Sequence, residues 1–282
     1  MKVLFVAVFN YNSTNVSQAD GFRKSECEVI EFNYREVALN VGNHKRDKQL
    51  VELCKNEKPD VVVFSKCNEI DSWVVGECNK ISKTVLWYMD PINNNLNSSL
   101  IEKIKLCNFT FCAIWDSYLA AKKIGGDKVF FLQEGYDQTS NYPIDLQYKH
   151  DVSFIGALRN KRFEYHNAIG FPVIENAYGE EHSKAVSQTK INLNFTEGGT
   201  SDRTYKILAS RGFLLTEPWV SMDNDFTVGQ DFNIFTNVDE LKNKITYYLE
   251  HEDERLRIAE HGYQTVQKFD RINWAKKIIN KI

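Results

Sequence analysis

No apolar run in this chain of 282 residues approaches the roughly 18 needed to cross a bilayer, so no membrane span is expected. No two cysteines have Cys-x-x-Cys spacing. All six (Cys27, Cys54, Cys67, Cys78, Cys107 and Cys112) lie irregularly in the first half, and the six histidines are equally scattered, so no zinc-binding spacing emerges and no metal site is expected. The opening MKVLFVAVFN has too short an apolar run for a secretion signal and no small-residue cleavage site after it. It reads instead as a first buried strand, and the cysteines as reduced thiols of a cytoplasmic protein. An excess of one charge is also missing: 35 Lys and Arg stand against 38 Asp and Glu, net −3, which gives no long-range attraction to nucleic acid or anionic lipid. There is no solenoid repeat and no low-complexity tract.

What is present is an alternation of short apolar runs with helical patterns. Residues 3–8, 29–32, 61–64, 84–88, 109–114 and 129–132 read as strands covered on both faces, separated by amphipathic segments, which is the doubly wound α/β pattern. Length is consistent with two domains. The polar stretch 139–150, with Pro143 and no apolar period, reads as a linker, leaving residues 1–138 as one domain and 151–270 as another.

In open α/β sheets ligands gather at the carboxyl ends of strands. Asn10, Asn12 and Ser13 follow the first strand and are candidates to line such a site, or are ordinary loop residues. Asp90, before Pro91, is a candidate general base at a strand end and equally an ordinary turn starter. In the second half, Gly156 follows the strand of residues 151–155 and permits close backbone approach, with Arg159, Lys161 and Arg162 placing cations beside it. Tyr178 either stacks on a base or sits in a core.

The densest signal is INLNFTEGGTSDRTYKILASRGFLLTE, residues 191–217, which reads as strand, glycine turn, helix and strand. Gly198 and Gly199 permit the turn, and Ser201 or Asp202 can cap the helix. Arg203 adds a fixed cation to the unpaired N–H groups and positive dipole end of that helix, a combination suited to a diphosphate.

The run Ser201-Asp202-Arg203-Thr204-Tyr205-Lys206, continuing through Ala209, Ser210, Arg211, Gly212 and residues 213–215, resembles the nucleotide-binding motif of CgeB-like (spore-maturation-protein type) glycosyltransferases. Phe226, Gly229, Asp231, Asp239-Glu240-Leu241, Tyr247-Tyr248-Leu249, His251, Glu254-Arg255 and His261-Gly262 follow in the order that family uses. The resemblance covers about the C-terminal half. It implies a GT-B fold, two Rossmann-like domains facing across a cleft, with residues 271–282 a terminal helix crossing back to the first domain. It also implies a nucleotide-diphosphate sugar as co-substrate, bound by Gly156, Arg159, Lys161, Tyr178, Gly199, Ser201, Arg203, Tyr205 and Lys206, with no cofactor. Asn10, Asn12, Ser13 and Glu134 would lie on the acceptor side, Asp90 and Arg203 would be catalytic, and the leaving diphosphate would be held by cations and helix N–H groups instead of a metal, since no Asp-x-Asp pair ends a strand. One position departs from the family: where it carries an acid after the aromatic, this chain has Lys206. A carboxylate accepts hydrogen bonds and an ammonium only donates them, so the change bears on the donor's identity. Two alternatives stay open here, sugar transfer to a hydroxymethylated base in DNA, with Lys122-Lys123 and Lys276-Lys277 as local basic clusters, and a non-catalytic nucleotide-sugar-binding protein.

Overall fold

Each apolar run becomes a parallel strand, and the strands assemble into two separate sheets. The computed structural model describes residues 1–92, 96–196 and 199–282. Among them Met1–Glu134 with Arg271–Ile282 form one unit and Gly135–Asp270 the other.

The first unit runs β1 (Lys2–Ala7), α1 (Thr14–Lys24), β2 (Glu28–Asn33), α2 (Tyr34–Val41), α3 (Asn43–Glu57), β3 (Val61–Ser65), α4 (Ser72–Asn79), β4 (Lys83–Tyr88), α5 (Ser98–Leu106), β5 (Phe109–Cys112), α6 (Trp115–Gly125) and β6 (Val129–Phe131). Its sheet has the order β2-β1-β3-β4-β5-β6. Every neighbouring pair is parallel, with Val3 opposite both Val29 and Val61. Both faces are covered: Val3, Phe5 and Ala7 join a core with Phe22 and Trp87, while Leu4 and Val6 join another with Leu50 and Val62. Two buried faces explain why these strands read as continuous apolar runs and not as alternations. Helix α2 was not anticipated from the sequence; of its eight residues only Tyr34 is buried.

The second unit runs β7 (His150–Ile155), α7 (Lys161–Ile169), β8 (Val173–Ile174), α8 (Glu180–Ser187), β9 (Thr189–Asn194), α9 (Asp202–Ala209), β10 (Leu214–Thr216), β11 (Asn233–Ile234), α10 (Val238–Glu250) and α11 (Glu252–Val266). Its strand order is β11-β10-β9-β7-β8, again all parallel. Asn233 and Ile234 pair as β11, with Phe232 and Phe235 buried on either side.

Helix α12 (Arg271–Ile279) closes the chain and belongs to the first unit. Gly21 on α1 lets it come close: a Cβ there would sit 2.3 Å from the Arg271 carbonyl oxygen. Trp274 meets Phe22 and Trp87 edge to face, both at 5.3 Å between centroids. Arg271, buried, donates from Nε to Ser17 Oγ at 3.0 Å and from Nη1 to the Glu134 carbonyl. Truncating Trp274 removes the aromatic that joins α12 to the sheet. Trp274→Ala is expected to destabilise the first unit by about 3–5 kcal/mol, read as a lowered urea midpoint for that unit's unfolding.

Candidate functional site

A parallel sheet whose strand order reverses leaves a crevice where the chain turns away on either side, at the carboxyl ends of the two strands that flank the reversal. In the second unit those strands are β7 and β9. Gly156 follows β7 with φ of 138°, a conformation that other residues rarely adopt, and Asn194 ends β9.

Arg203, in the first turn of α9, occupies this junction. Its guanidinium lies 4.9 Å above the Phe154 ring, Nη1 donates to Asn194 Oδ1 at 3.1 Å, and Nη2 is so close to Gly156 that a Cβ there would meet it at 2.8 Å. Asn194 is fully buried and spends its amide on the neighbours: Nδ2 donates to Thr204 Oγ1 at 3.2 Å and Thr216 Oγ1 at 3.3 Å. One side chain thus ties the ends of β9 and β10 to α9 and orients Arg203. The turn between β9 and α9 is held from the other side, where Thr196 N–H donates to Glu217 Oε2 at 3.1 Å.

The remaining expected donor residues divide. Gly199 has φ of 136° and donates its N–H to Thr196 O at 3.1 Å; Gly198 lies outside the described residues. Ser201 is the N-cap residue of α9 but makes no side-chain capping bond, and its Oγ is buried without a hydrogen-bond partner. Lys206 pairs with Asp202 one turn earlier, at 2.5 Å. Tyr205 is buried against Phe226 and Phe269, on the core side of the helix, so its ring is spent on packing and not on the exposed turn. Of the three cations after β7, Arg159 and Lys161 are exposed, whereas Arg162 folds back, 5.3 Å from the Phe154 ring with Nη1 donating to Ala157 O at 3.0 Å. Tyr178 is exposed beside Gly179, which has φ of 55°.

In the first unit, Asn10 and Asn12 are exposed, and Ser13 caps α1 by accepting from Asn15 N–H at 3.3 Å. Asp90 follows β4; its carbonyl accepts from Ser117 Oγ at 3.1 Å and its carboxylate pairs with Lys66 Nζ. Glu134 presents its carbonyl to Arg271. The sequence reading missed Lys66 and Asn194. Lys66 is invisible because its partner is 24 residues away, past the end of the neighbouring strand, and Asn194 because a strand-end amide has no spacing signature. Among the described residues no three His, Cys, Asp or Glu gather as a metal site, and no helix is long and apolar enough to cross a membrane.

Comparison with known proteins agrees with this geometry. A family model described as Glycosyl transferase-like matches residues 142–279. Anabaena HepE, solved with UDP and glucose, superposes with a TM-score of 0.73 at 9% identity, covering 100% of this chain and 99% of that one. Sucrose-phosphate synthase from Thermosynechococcus elongatus gives 0.71 at 9% identity, over 100% and 98%. A glycosyltransferase from Rickettsia africae gives 0.66 at 12% identity, over 99% and 97%. No curated protein matches the sequence. The fold is that of GT-B glycosyltransferases. Within that fold, residues 142–279 carry the match to the glycosyl transferase-like family.

Beside α9 sits a buried, neutral imidazole. His182 on α8 is 5% exposed, neither ring nitrogen has a hydrogen-bond partner, and burial, followed by the nearby Lys206 ammonium, pushes its pKa down to about 3 from 6.5. The unfolded chain therefore takes up a proton that the folded chain refuses. The contribution of His182 is fully present above pH 6.5 and is lost as pH falls from there toward about 3. Between pH 6.5 and 5 the wild type is expected to lose stability by up to about 1.4 kcal/mol per pH unit more steeply than His182→Leu, measured by denaturant unfolding of both proteins at each pH.

Proposed function

We propose that this protein moves a sugar from a nucleoside diphosphate, bound at the β7/β9 junction, to an acceptor hydroxyl, and that it belongs to the CgeB-like branch of its fold. The observation that carries the reading is the placement of Arg203. A guanidinium stays charged at any relevant pH and offers paired N–H donors that match phosphate oxygens. Here it is oriented before any ligand arrives, by the Phe154 ring, Asn194 and the missing side chain of Gly156. A donor's diphosphate gathers negative charge as its bond to the sugar breaks, so a cation already in place stabilises the transition state without reorganising.

The α9 N-terminus adds backbone N–H groups and the Ser201 hydroxyl, and Arg159 and Lys161 supply exposed cations on the opposite loop. Asp90 is the base: it takes the acceptor's hydroxyl proton as the oxygen attacks the sugar's anomeric carbon. The Lys206–Asp202 pair keeps an acceptor carboxylate on the same helix face, where the family's own acid is absent, and this directs donor choice. HepE is solved with UDP-glucose, which makes UDP-sugars the first donors to try. The six cysteines, all buried, suit a cytoplasmic enzyme. Transfer to a base in DNA is not favoured for a chain of net charge −3, and the glycosyl transferase-like match favours transfer over binding alone.

Arg203→Ala is expected to weaken UDP-sugar binding and slow UDP release by about 10- to 100-fold each, the scale of a lost charge-assisted hydrogen bond of roughly 1.5–3 kcal/mol. Gly156→Ala should give a smaller loss of the same kind by displacing the guanidinium. Calorimetric titration and a UDP-release assay test both. Unchanged affinity and turnover in Arg203→Ala would sink the assignment.

A further inference from the structure

Two buried cations in the first unit converge on one loop. Lys103, 2% exposed, donates from Nζ to the Cys67 carbonyl at 2.8 Å and to Asn68 O at 3.5 Å. Arg46, fully buried and paired with Asp47 at 2.7 Å, donates from Nη2 to Glu69 O at 2.6 Å. Burial lowers the pKa of Lys103, offset only partly by nearby acidic and thiol groups. Removing a cation from water costs several kcal/mol unless its donors are used. Here two are removed, and their donors reach three consecutive carbonyls.

That loop is also strained. Lys66 and Cys67 are consecutive non-glycine residues in the left-handed region, with φ of 62° and 49°, a conformation costing about 1–3 kcal/mol per residue. Further bonds hold it there. Lys66 N–H donates to Trp87 O at 2.7 Å, Cys67 Sγ to Val6 O at 3.2 Å, and Ser65 Oγ to Asn15 Oδ1 at 2.7 Å, while Asn15 Nδ2 reaches Val8 O at 3.1 Å. The loop is thereby fastened to β1, to β4 and to the start of α1. It lies at the carboxyl end of β3, beside β1, where the strand order of the first sheet reverses. The outcome of this bracing is that Lys66 Nζ meets Asp90 Oδ2, with the two side chains 34% and 28% exposed.

We propose that Lys66 is the positioning residue for Asp90. Its ammonium takes Oδ2 and turns Oδ1 toward the acceptor, and the clamp of Lys103 and Arg46 keeps residues 66 and 67 in the left-handed turn that aims it. In the transfer step the acceptor O–H proton passes to Oδ1 and the acceptor oxygen bonds to the anomeric carbon. The carbon–oxygen bond to the diphosphate breaks, and its electron pair leaves with the diphosphate. This rests on the reading of Asp90 as the base.

The test uses water as the acceptor. Release of nucleoside diphosphate is followed for the full chain with UDP-, GDP- and TDP-linked hexoses, on the fastest donor, for the wild type, Asp90→Asn, Lys66→Met, Lys66→Arg and the double variant Lys66→Met/Asp90→Asn. Asp90→Asn should lose at least about 100-fold in kcat. Lys66→Met should lose about tenfold in kcat with donor KM unchanged, Lys66→Arg should recover most of it, and Lys66→Met should cost nothing further once Asp90 is Asn, because a residue acting through Asp90 is silent without it. If Asp90→Asn is slow but Lys66→Met turns over at the wild-type rate, or the two losses multiply, this inference is overturned and the base assignment stands. Should Asp90→Asn match the wild type, the base assignment fails and takes the role of Lys66 with it. No release by the wild type from any of the donors would overturn the donor reading and this inference together.

Discussion

A methyl group at position 156 would lie 2.8 Å from the Arg203 guanidinium, and the arrangement of the second unit's site depends on its absence. Because the backbone there is bare, the cation can settle between the end of β7 and the end of β9 with its flat face on Phe154. Once it is there, its donors need an acceptor, and the buried Asn194 supplies one. Asn194 must then satisfy its own amide, which draws in Thr204 from α9 and Thr216 from β10. The strand ends and the helix are tied to each other through the hydrogen bonds of the buried Asn194 amide. A cation oriented this way has little freedom left to lose on meeting an anion, which is the ground for proposing it, ahead of the exposed Arg159 and Lys161, as the contact to the donor's diphosphate.

The first unit reaches a comparable result by a different route. Its order reversal lies between β1 and β3, and instead of a glycine it carries two non-glycine residues in left-handed conformations. The strain is held by buried charge: Lys103 and Arg46 are kept beneath the loop by carbonyls that no helix or strand uses. In both units the parallel sheet supplies rigid strand ends, and the proposed site residues lie at or just beyond them. This placement follows from the fact that a strand covered on both faces can present functional groups only where it stops.

Much of the fold was readable from the chain. Continuous apolar runs at regular intervals announce buried parallel strands, and Gly156, Gly199 and Arg203 stood out because a bare backbone and a fixed cation near a helix start have few uses. Other placements needed packing. Tyr205 was expected at the donor; a helix of eight residues with one buried face sends some of its motif into the core, and Tyr205 is on that face. Arg159, Lys161 and Arg162 are indistinguishable as letters; only packing shows that Arg162 is the one that turns back onto Phe154.

The sequence by itself determined two doubly wound α/β units and a fixed cation in the first turn of α9, because these are carried by periodicity and by residue type. Tertiary structure alone decided which groups meet. Lys66 finds Asp90, Lys103 finds Cys67 and Arg203 finds Asn194 across neighbouring strands and helices. No local pattern records such pairings, because strand order and register set them, and those are properties of the whole sheet.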